Sequence, residues 1–345
     1  VDAHVHIESS MMTPANFARA VLPHGTTTVI TDPHEIANVW GVKGVKYMHE
    51  ASEDLPMRQF IDIPSCVPSV PGLENGGASF LAPEIHQLSS LDRVIGLAEV
   101  MDFVGVAQGD ERMMEILEAA QSHGLYIQGH APNLSGRLLS AYRCGGPCTC
   151  HETASGEEAL EKLRSGFTVD ARDSSIVKNV ANIWAGISHL PYLGRLCFCT
   201  DDREADEILE HGHVNDVVRH AITCGMDPIM AIRSATYQAA QEAHIDNLGA
   251  IAPGFAADFL LTEDLQQLQP THVFCRGRLV ARNGKLTTSI PERVFPLETW
   301  NSISIRPLTV QDLTVSVPAA SDKARIRVLE YTDPVLPFTQ RAEAV

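Results

Sequence analysis

The chain has 345 residues and carries 26 Lys and Arg against 43 Asp and Glu, a formal charge of −17. Its 44% apolar and 20% charged residues exclude a disordered chain and supply a full core plus an appendage. No apolar run approaches the roughly 18 residues of a membrane span, and no Lys/Arg cluster marks a nucleic-acid surface. Neither a membrane nor a nucleic acid is an expected partner.

Apolar alternation starts at Val1, and short apolar runs predict strands over residues 1–6, 26–31, 60–66, 94–99, 125–130, 148–151, 167–171 and 196–200. A 3.6-residue period predicts helices between them, among them 110–122, 156–164, 176–189 and 227–243. Eight strands, each followed by a helical or mixed segment, point to an α/β fold in which residues 1–248 close a (β/α)8 TIM-like barrel. An open doubly wound sheet is the competitor, but no G-x-G-x-x-G follows the first strand.

From Gly249 the texture turns β-like, with a turn signal at Arg282-Asn283-Gly284-Lys285. Residues 249–290 are expected to form part of a small β-rich, sandwich-like domain whose other strands precede Val1. That arrangement would leave Phe259, Leu260, Val273 and Phe274 short of partners. Residues 291–345, punctuated by proline, read as a linker and the start of a truncated C-terminal domain. No charged n-region or apolar h-region opens the chain. Its eight cysteines are too sparse for a disulfide framework, which favours a reducing, cytoplasmic setting.

The strongest chemical signal is Asp2-Ala3-His4-Val5-His6. Side chains two apart on a strand share a face, so Asp2, His4 and His6 project together. At the C-terminal end of a barrel's first strand, the imidazoles reach the mouth where active sites form. A lone H-x-H is commonplace, but Glu99, His130, His151 and Asp201 recur at the ends of other predicted strands. Imidazoles and carboxylates converging on one mouth suit a pair of divalent metals, with Zn, Mn or Fe all fitting. Glu99 closes the apolar run Val94-Ile95-Gly96-Leu97-Ala98, where an unpaired carboxylate is costly, so it calls for a metal or a cation. Asp201-Asp202 stands in the same situation after Cys197-Phe198-Cys199-Thr200. The Cys148-Thr149-Cys150-His151 run lacks the second cysteine pair of a zinc knuckle, and it is one residue short of the P-C-x-x-C zinc deaminases. His211 and His213, in Glu210-His211-Gly212-His213, form a second H-x-H on a turn among acidic residues, and His213 is at most a candidate for the rim of the site.

Taken together, Asp2 to Ser10, Thr31-Asp32-Pro33-His34-Glu35-Ile36-Ala37-Asn38-Val39, Gly96-Leu97-Ala98-Glu99-Val100-Met101-Asp102, Gly129-His130-Ala131-Pro132, Cys150-His151-Glu152, Thr200-Asp201-Asp202-Arg203 and Leu248-Gly249-Ala250-Ile251-Ala252-Pro253-Gly254 resemble, in order, the motifs of prokaryotic adenine deaminases in the amidohydrolase superfamily. The resemblance implies hydrolytic deamination of free adenine to hypoxanthine and ammonia at a binuclear centre, with Mn2+ first and Fe2+ or Zn2+ as alternatives. It implies a small-molecule substrate and a homo-oligomer. Carried to matching positions, it puts His4 and His6 on one metal, Glu99 as bridging or ligating carboxylate, and His130 and His151 on the second metal. Asp201 is implied as ligand and proton shuttle, with Asp202 as a candidate to share the shuttle. Asp32, His34 and Glu35 are implied on the substrate side, and Glu99 and Glu35 are both candidates to protonate the ring. Residues 167–174 depart from the pattern, replacing a more apolar run, so the seventh strand's contribution is left open. Another amidohydrolase acting on an amide or cyclic ureide, or an inactive fragment, are the competing readings.

Overall fold

Backbone pairing turns the apolar runs into parallel strands. A computed structural model describes residues 1–291, 293–295 and 305–316, with the backbone of 325–330 and 339–344. One sheet holds β1 (Asp2–Val5), β2 (Thr28–Thr31), β3 (Arg58–Ile63), β4 (Val94–Val100) and β5 (Tyr126–Gly129) in that spatial order. A second holds β6 (Thr149–Cys150), β7 (Thr168–Arg172) and β8 (Leu196–Cys199). Backbone hydrogen bonds cross both margins. The Cys148 N–H donates to Ile127 O at 2.9 Å between β5 and β6, and the Asp201 N–H donates to His4 O at 3.0 Å where β8 meets β1. The C-terminal ends of the strands gather on one side as a result.

Alternation decides what each strand buries. On β7 and β8, Val169, Ala171, Leu196 and Phe198 pack into an apolar core with Val180, Ile183 and Ile187 of the helix behind them. Asp170 and Arg172 occupy the opposite face, beside Cys197 and Cys199. Helices fill the connections, an α/β arrangement as the alternation predicts. Asp110 caps Glu111–Ser122 through the Met113 N–H, and Ser155 caps Gly156–Arg164 through the Glu158 N–H.

Two predicted helices come out differently. The helix expected over 176–189 is only Val180–Ile187, because the Ser174 hydroxyl accepts from the Ile176 and Val177 N–H groups and holds a turn there. The one expected over 227–243 divides into Pro228–Arg233, a π turn at Ser234–Gln238, and Ala239–Glu242. At that turn the Ala235 carbonyl accepts a hydrogen bond from the Val1 nitrogen at 2.9 Å. Among the described residues no helix is long and apolar enough to cross a membrane.

β9 (Phe259–Thr262), β10 (Pro270–Cys275), β11 (Arg278–Arg282) and β12 (Lys285–Leu286) form an antiparallel sheet. Asn283 and Gly284 make its last turn at positive φ. The sheet folds back onto the turn at Leu22–His24: Val273, Cys275, Val280 and Ala281 belong to the main apolar core, and Leu260 packs against it. Phe259 stacks on Phe274 at 4.5 Å, so all four residues expected to lack partners have apolar neighbours. Arg58 and Asp258 add an ion pair between β3 and the approach to β9. Within 291–345, β13 (Arg325–Glu330) and β14 (Thr339–Ala344) pair antiparallel. The remainder of that expected linker and domain start lies largely outside the described residues.

Candidate metal centre

Every ligand candidate named from sequence sits where a parallel strand ends. His4 is next to last in β1 and His6 follows the strand, Glu99 lies in β4, His130 follows β5, His151 follows β6 and Asp201 follows β8. They converge. His4 Nε2 is 3.0 Å from His6 Nε2, and Asp201 Oδ1 is 3.5 and 3.2 Å from the two. Glu99 reaches His6 Nε2 through Oε1 at 3.5 Å and His151 Nε2 through Oε2 at 3.0 Å, and it bonds His130 Nδ1. The His4 and His151 rings stack at 4.1 Å. Asp201 adopts φ 56°, a left-handed conformation that an Asp tolerates, and its carboxylate turns toward the histidines.

The ring nitrogens facing away from the cluster are fixed by hydrogen bonds. His4 Nδ1 donates to Gln128 Oε1 at 2.6 Å, and His6 Nδ1 donates to the Asp32 carbonyl at 2.9 Å. Both Nε2 lone pairs therefore point at each other across 3.0 Å, an arrangement that needs a cation or a proton between them. His151 lies off the line of a hydrogen bond at both ring nitrogens. This donor set fits a divalent metal: buried imidazoles and carboxylates with their other nitrogens already tied.

Without a metal, protons do the neutralising. Burial alone would strip the imidazoles, but the Asp201 and Glu99 carboxylates override it, holding His4 at about 9 and His6 well above its usual range. For His151, burial and the nearby His4 charge win, and it falls to about 4. Burial would raise Glu99, yet His130 and His151 hold its carboxyl well below the usual range. Asp201 is held low in the same sense by Arg172 and the two histidines.

The substrate-side candidates flank this cluster. His34 Nδ1 lies 3.0 Å from Asp32 Oδ2 and 3.5 Å from Glu99 Oε1. Glu35 and Asp202 meet at one hydroxyl: Ser9 Oγ is 2.5 Å from Glu35 Oε1 and 2.6 Å from Asp202 Oδ1. A single hydroxyl proton satisfies only one of the two, so the other carboxyl needs its own. Burial, with the Asp201 charge, pushes Asp202 up, and burial beside Glu35 pushes Glu8 up to about 8. The cleft above these groups encloses about 330 Å³ and is also lined by Met101, Ile176 and Val177.

Sequence reasoning missed several residues. Arg172 ends β7, the stretch left open, and bonds Asp201 while its other nitrogen meets Glu152 Oε1 at 2.5 Å. Gln128 sits two residues before His130, so strand alternation was the available signal. Buried Lys162 bonds the Glu152 carbonyl and, at 3.2 Å, Thr153 Oγ1, holding the loop after His151. His213 is not at the rim. It is fully buried, with Thr26 Oγ1 and Thr200 Oγ1 each 3.1 Å from its two ring nitrogens, because it stitches β8 to Asp2 beneath the site.

Residues 1–280 match the sequence profile of the group described as "Amidohydrolase family". The chain is 41% identical over 346 residues to adenine deaminase 2 of Rhizobium johnstonii, covering 100% of this chain and 57% of that protein. It is 40% identical over 323 residues to adenine deaminase of Bacillus pumilus, covering 94% and 55%. The chain thus spans about half the length of the curated relatives it matches. Among solved structures, a triazine hydrolase variant superposes with TM-score 0.60 at 14% identity, covering 84% of this chain and 83% of that one. The beta-aspartyl dipeptidase of Fervidobacterium islandicum superposes with TM-score 0.58 at 14% identity, covering 79% and 80%. At such identity the likeness is one of fold.

Proposed function

The chain belongs to the amidohydrolase family, and on that premise we propose that its site deaminates free adenine to hypoxanthine and ammonia. The observation that carries the reading is the pair of tied imidazoles, His4 and His6, facing Asp201 and Glu99 on a scaffold about 40% identical to adenine deaminases. His4, His6 and Glu99 would hold one divalent ion, His130 and His151 a second, and Asp201 would complete the set. When bound, such ions make water acidic enough to act as a nucleophile near neutral pH.

The protein groups then divide the protons. Asp201 Oδ1 takes one from the attacking water as the oxygen bonds C6 of the ring, with Oδ2 held by Arg172. Ring N1 needs a proton as C6 becomes tetrahedral, and Glu35 is the better donor of the two candidates. Both Glu99 oxygens already face histidines, whereas Glu35 shares the Ser9 hydroxyl with Asp202 and lies beside Glu8, whose carboxyl burial pushes up to about 8. Asp201 returns its proton to the departing amine, and the proton lost as C6 becomes a carbonyl recharges Glu35. Asp202 relays within this set, and His34, steered by Asp32, borders the ring.

Nitrogen and oxygen donors without thiolate suit manganese, iron and zinc alike, and the resemblance to adenine deaminases puts Mn2+ first, with Fe2+ or Zn2+ next. The seam bonds between β5 and β6 and between β8 and β1 support one closed (β/α)8 barrel over 1–248. We assign 249–290 to a partial β-rich domain and 291–345 to a linker and domain start. The assembly is a cytoplasmic homo-oligomer acting on a small molecule. Ammonia release is the test: the chain reconstituted with Mn2+ is offered adenine, a hydantoin and an N-acyl amino acid. Turnover of adenine alone is expected. Turnover of a hydantoin or N-acyl amino acid in its place overturns the assignment.

A further inference from the structure

A second group of donor atoms lies deeper between the same strands and takes no part in the chemistry above. Asp170 of β7 and Cys197 of β8 are register partners, so their side chains share one face of the sheet. Asp170 lies two residues before Arg172 and is therefore one layer below the metal centre. Cys197 packs with Ala239 of the helix Ala239–Glu242. Glu242 stands three residues further along, on the same side of that helix. Ligand atoms of Asp170, Cys197 and Glu242 lie within 4.8 Å of one another.

Packing accounts for Cys197, which sits in an apolar cluster with Ala3, Cys199 and Ala239, but not for the two carboxylates. Asp170 is 1% exposed, and neither of its carboxylate oxygens has a hydrogen-bond partner among the described residues. The same holds for both Glu242 oxygens. The fully buried Thr149 hydroxyl approaches Asp170 without closing a well-formed bond. Two carboxylates out of water need either a shared proton or a cation. In the proton-sharing arrangement the Cys197 thiol approaches Glu242 as a weak donor, whereas a cation would engage all three groups as ligands.

We propose that Asp170, Cys197 and Glu242 form a separate binding site for one thiophilic divalent cation, Zn2+ by donor chemistry. Thiolate selects zinc over magnesium, calcium or manganese, and bonds of about 2.0–2.3 Å to sulfur and oxygen bring the three donors together with small side-chain adjustment. In the absence of the cation, burial pushes Asp170 up to about 6 and, with the Asp170 charge, Glu242 well above the carboxylate range. Loading releases those protons. By joining β7 and β8 to the helix that follows them, the ion acts as a structural clasp beneath the candidate catalytic layer.

Cobalt titration of the stripped 345-residue chain under reducing conditions tests this, whatever the substrate proves to be. The upper cluster offers nitrogen and oxygen only, so a near-ultraviolet thiolate-to-cobalt band reports the lower site. With the upper cluster filling alongside, the band should reach an intensity equal to one thiolate-bound Co2+ per chain, disappear in Cys197→Ala and persist in Cys66→Ala, whose thiol lies near the upper cluster. Elemental analysis after zinc loading should show one ion fewer in Cys197→Ala. Glu242→Gln keeps the thiol and the fold, and should weaken cobalt binding at least tenfold. No band in the unaltered chain, a band that survives Cys197→Ala, or unchanged affinity in Glu242→Gln overturns the site and leaves a carboxyl pair sharing a proton.

Discussion

Arg172 and Asp201 form a buried ion pair in which one carboxylate oxygen meets the guanidinium and the other faces His4 and His6. The two oxygens of one carboxylate are thereby given different tasks. Replacing Arg172 with Met keeps bulk but leaves Asp201 without its cation. Breaking a buried pair from one side costs about 3–5 kcal/mol. Thermal unfolding of the metal-loaded chain should drop accordingly, and the acid limb of the pH profile should move to higher pH as the Asp201 carboxyl rises. An unchanged acid limb would remove Asp201 from the proton path.

Asp201→Asn removes the proton acceptor at nearly constant size. Turnover of adenine should fall by roughly 10²-fold or more, with metal content measured alongside. If deamination stays near normal with metal retained, Asp202 is the shuttle.

His4 is oriented by a chain of three further side chains. Gln128 Nε2 donates to Tyr126 Oη at 3.0 Å, and Tyr126 Oη donates to Asp62 Oδ2 at 2.6 Å. A Cβ at Gly96 would lie 2.5 Å from both Asp62 Oδ1 and Tyr126 Cε1, so only glycine leaves room for this chain in β4. Gln128→Leu should reduce metal affinity by about 10–100-fold through a freely rotating His4. Competition with a chelator measures it, and Tyr126→Phe should show a smaller change in the same direction.

His213 is buried neutral, and its proton affinity is depressed well below 6.5 by burial and by Arg203. Below about pH 6.5 the unfolded chain takes up a proton that the native His213 refuses, so stability falls as pH drops, by at most about 1.4 kcal/mol per unit. Asp2 works in the opposite sense: burial raises it to about 6, so between about 6 and 3.9 the native state holds the extra proton. The His213 loss should therefore stand out between pH 7 and 6. Urea unfolding of the metal-loaded chain in that window should be steeper with pH in the natural chain than in His213→Gln. Equal slopes would mean that His213 titrates normally.

Local sequence was sufficient for the strand order along the chain, for the shared face of His4 and His6, and for placing Glu99, His130, His151 and Asp201 at strand ends. Each of those follows from alternation and from where an apolar run stops, which are properties of a few adjacent residues. What only the tertiary structure decided is who meets whom across strands. Arg172 reaches Asp201 because β7 and β8 are neighbours, and Gln128 reaches His4 because β5 and β1 face each other across the interior. His213 looked like a surface turn residue and is buried between Thr26 and Thr200, with Arg203 pairing Asp216 and reaching the His213 carbonyl. Asp170, Cys197 and Glu242 are 27 and 45 residues apart in sequence, and no local pattern joins them. Periodicity is written in neighbours along the chain. Charge compensation is settled by neighbours in space, where burial multiplies the cost of every unpaired group.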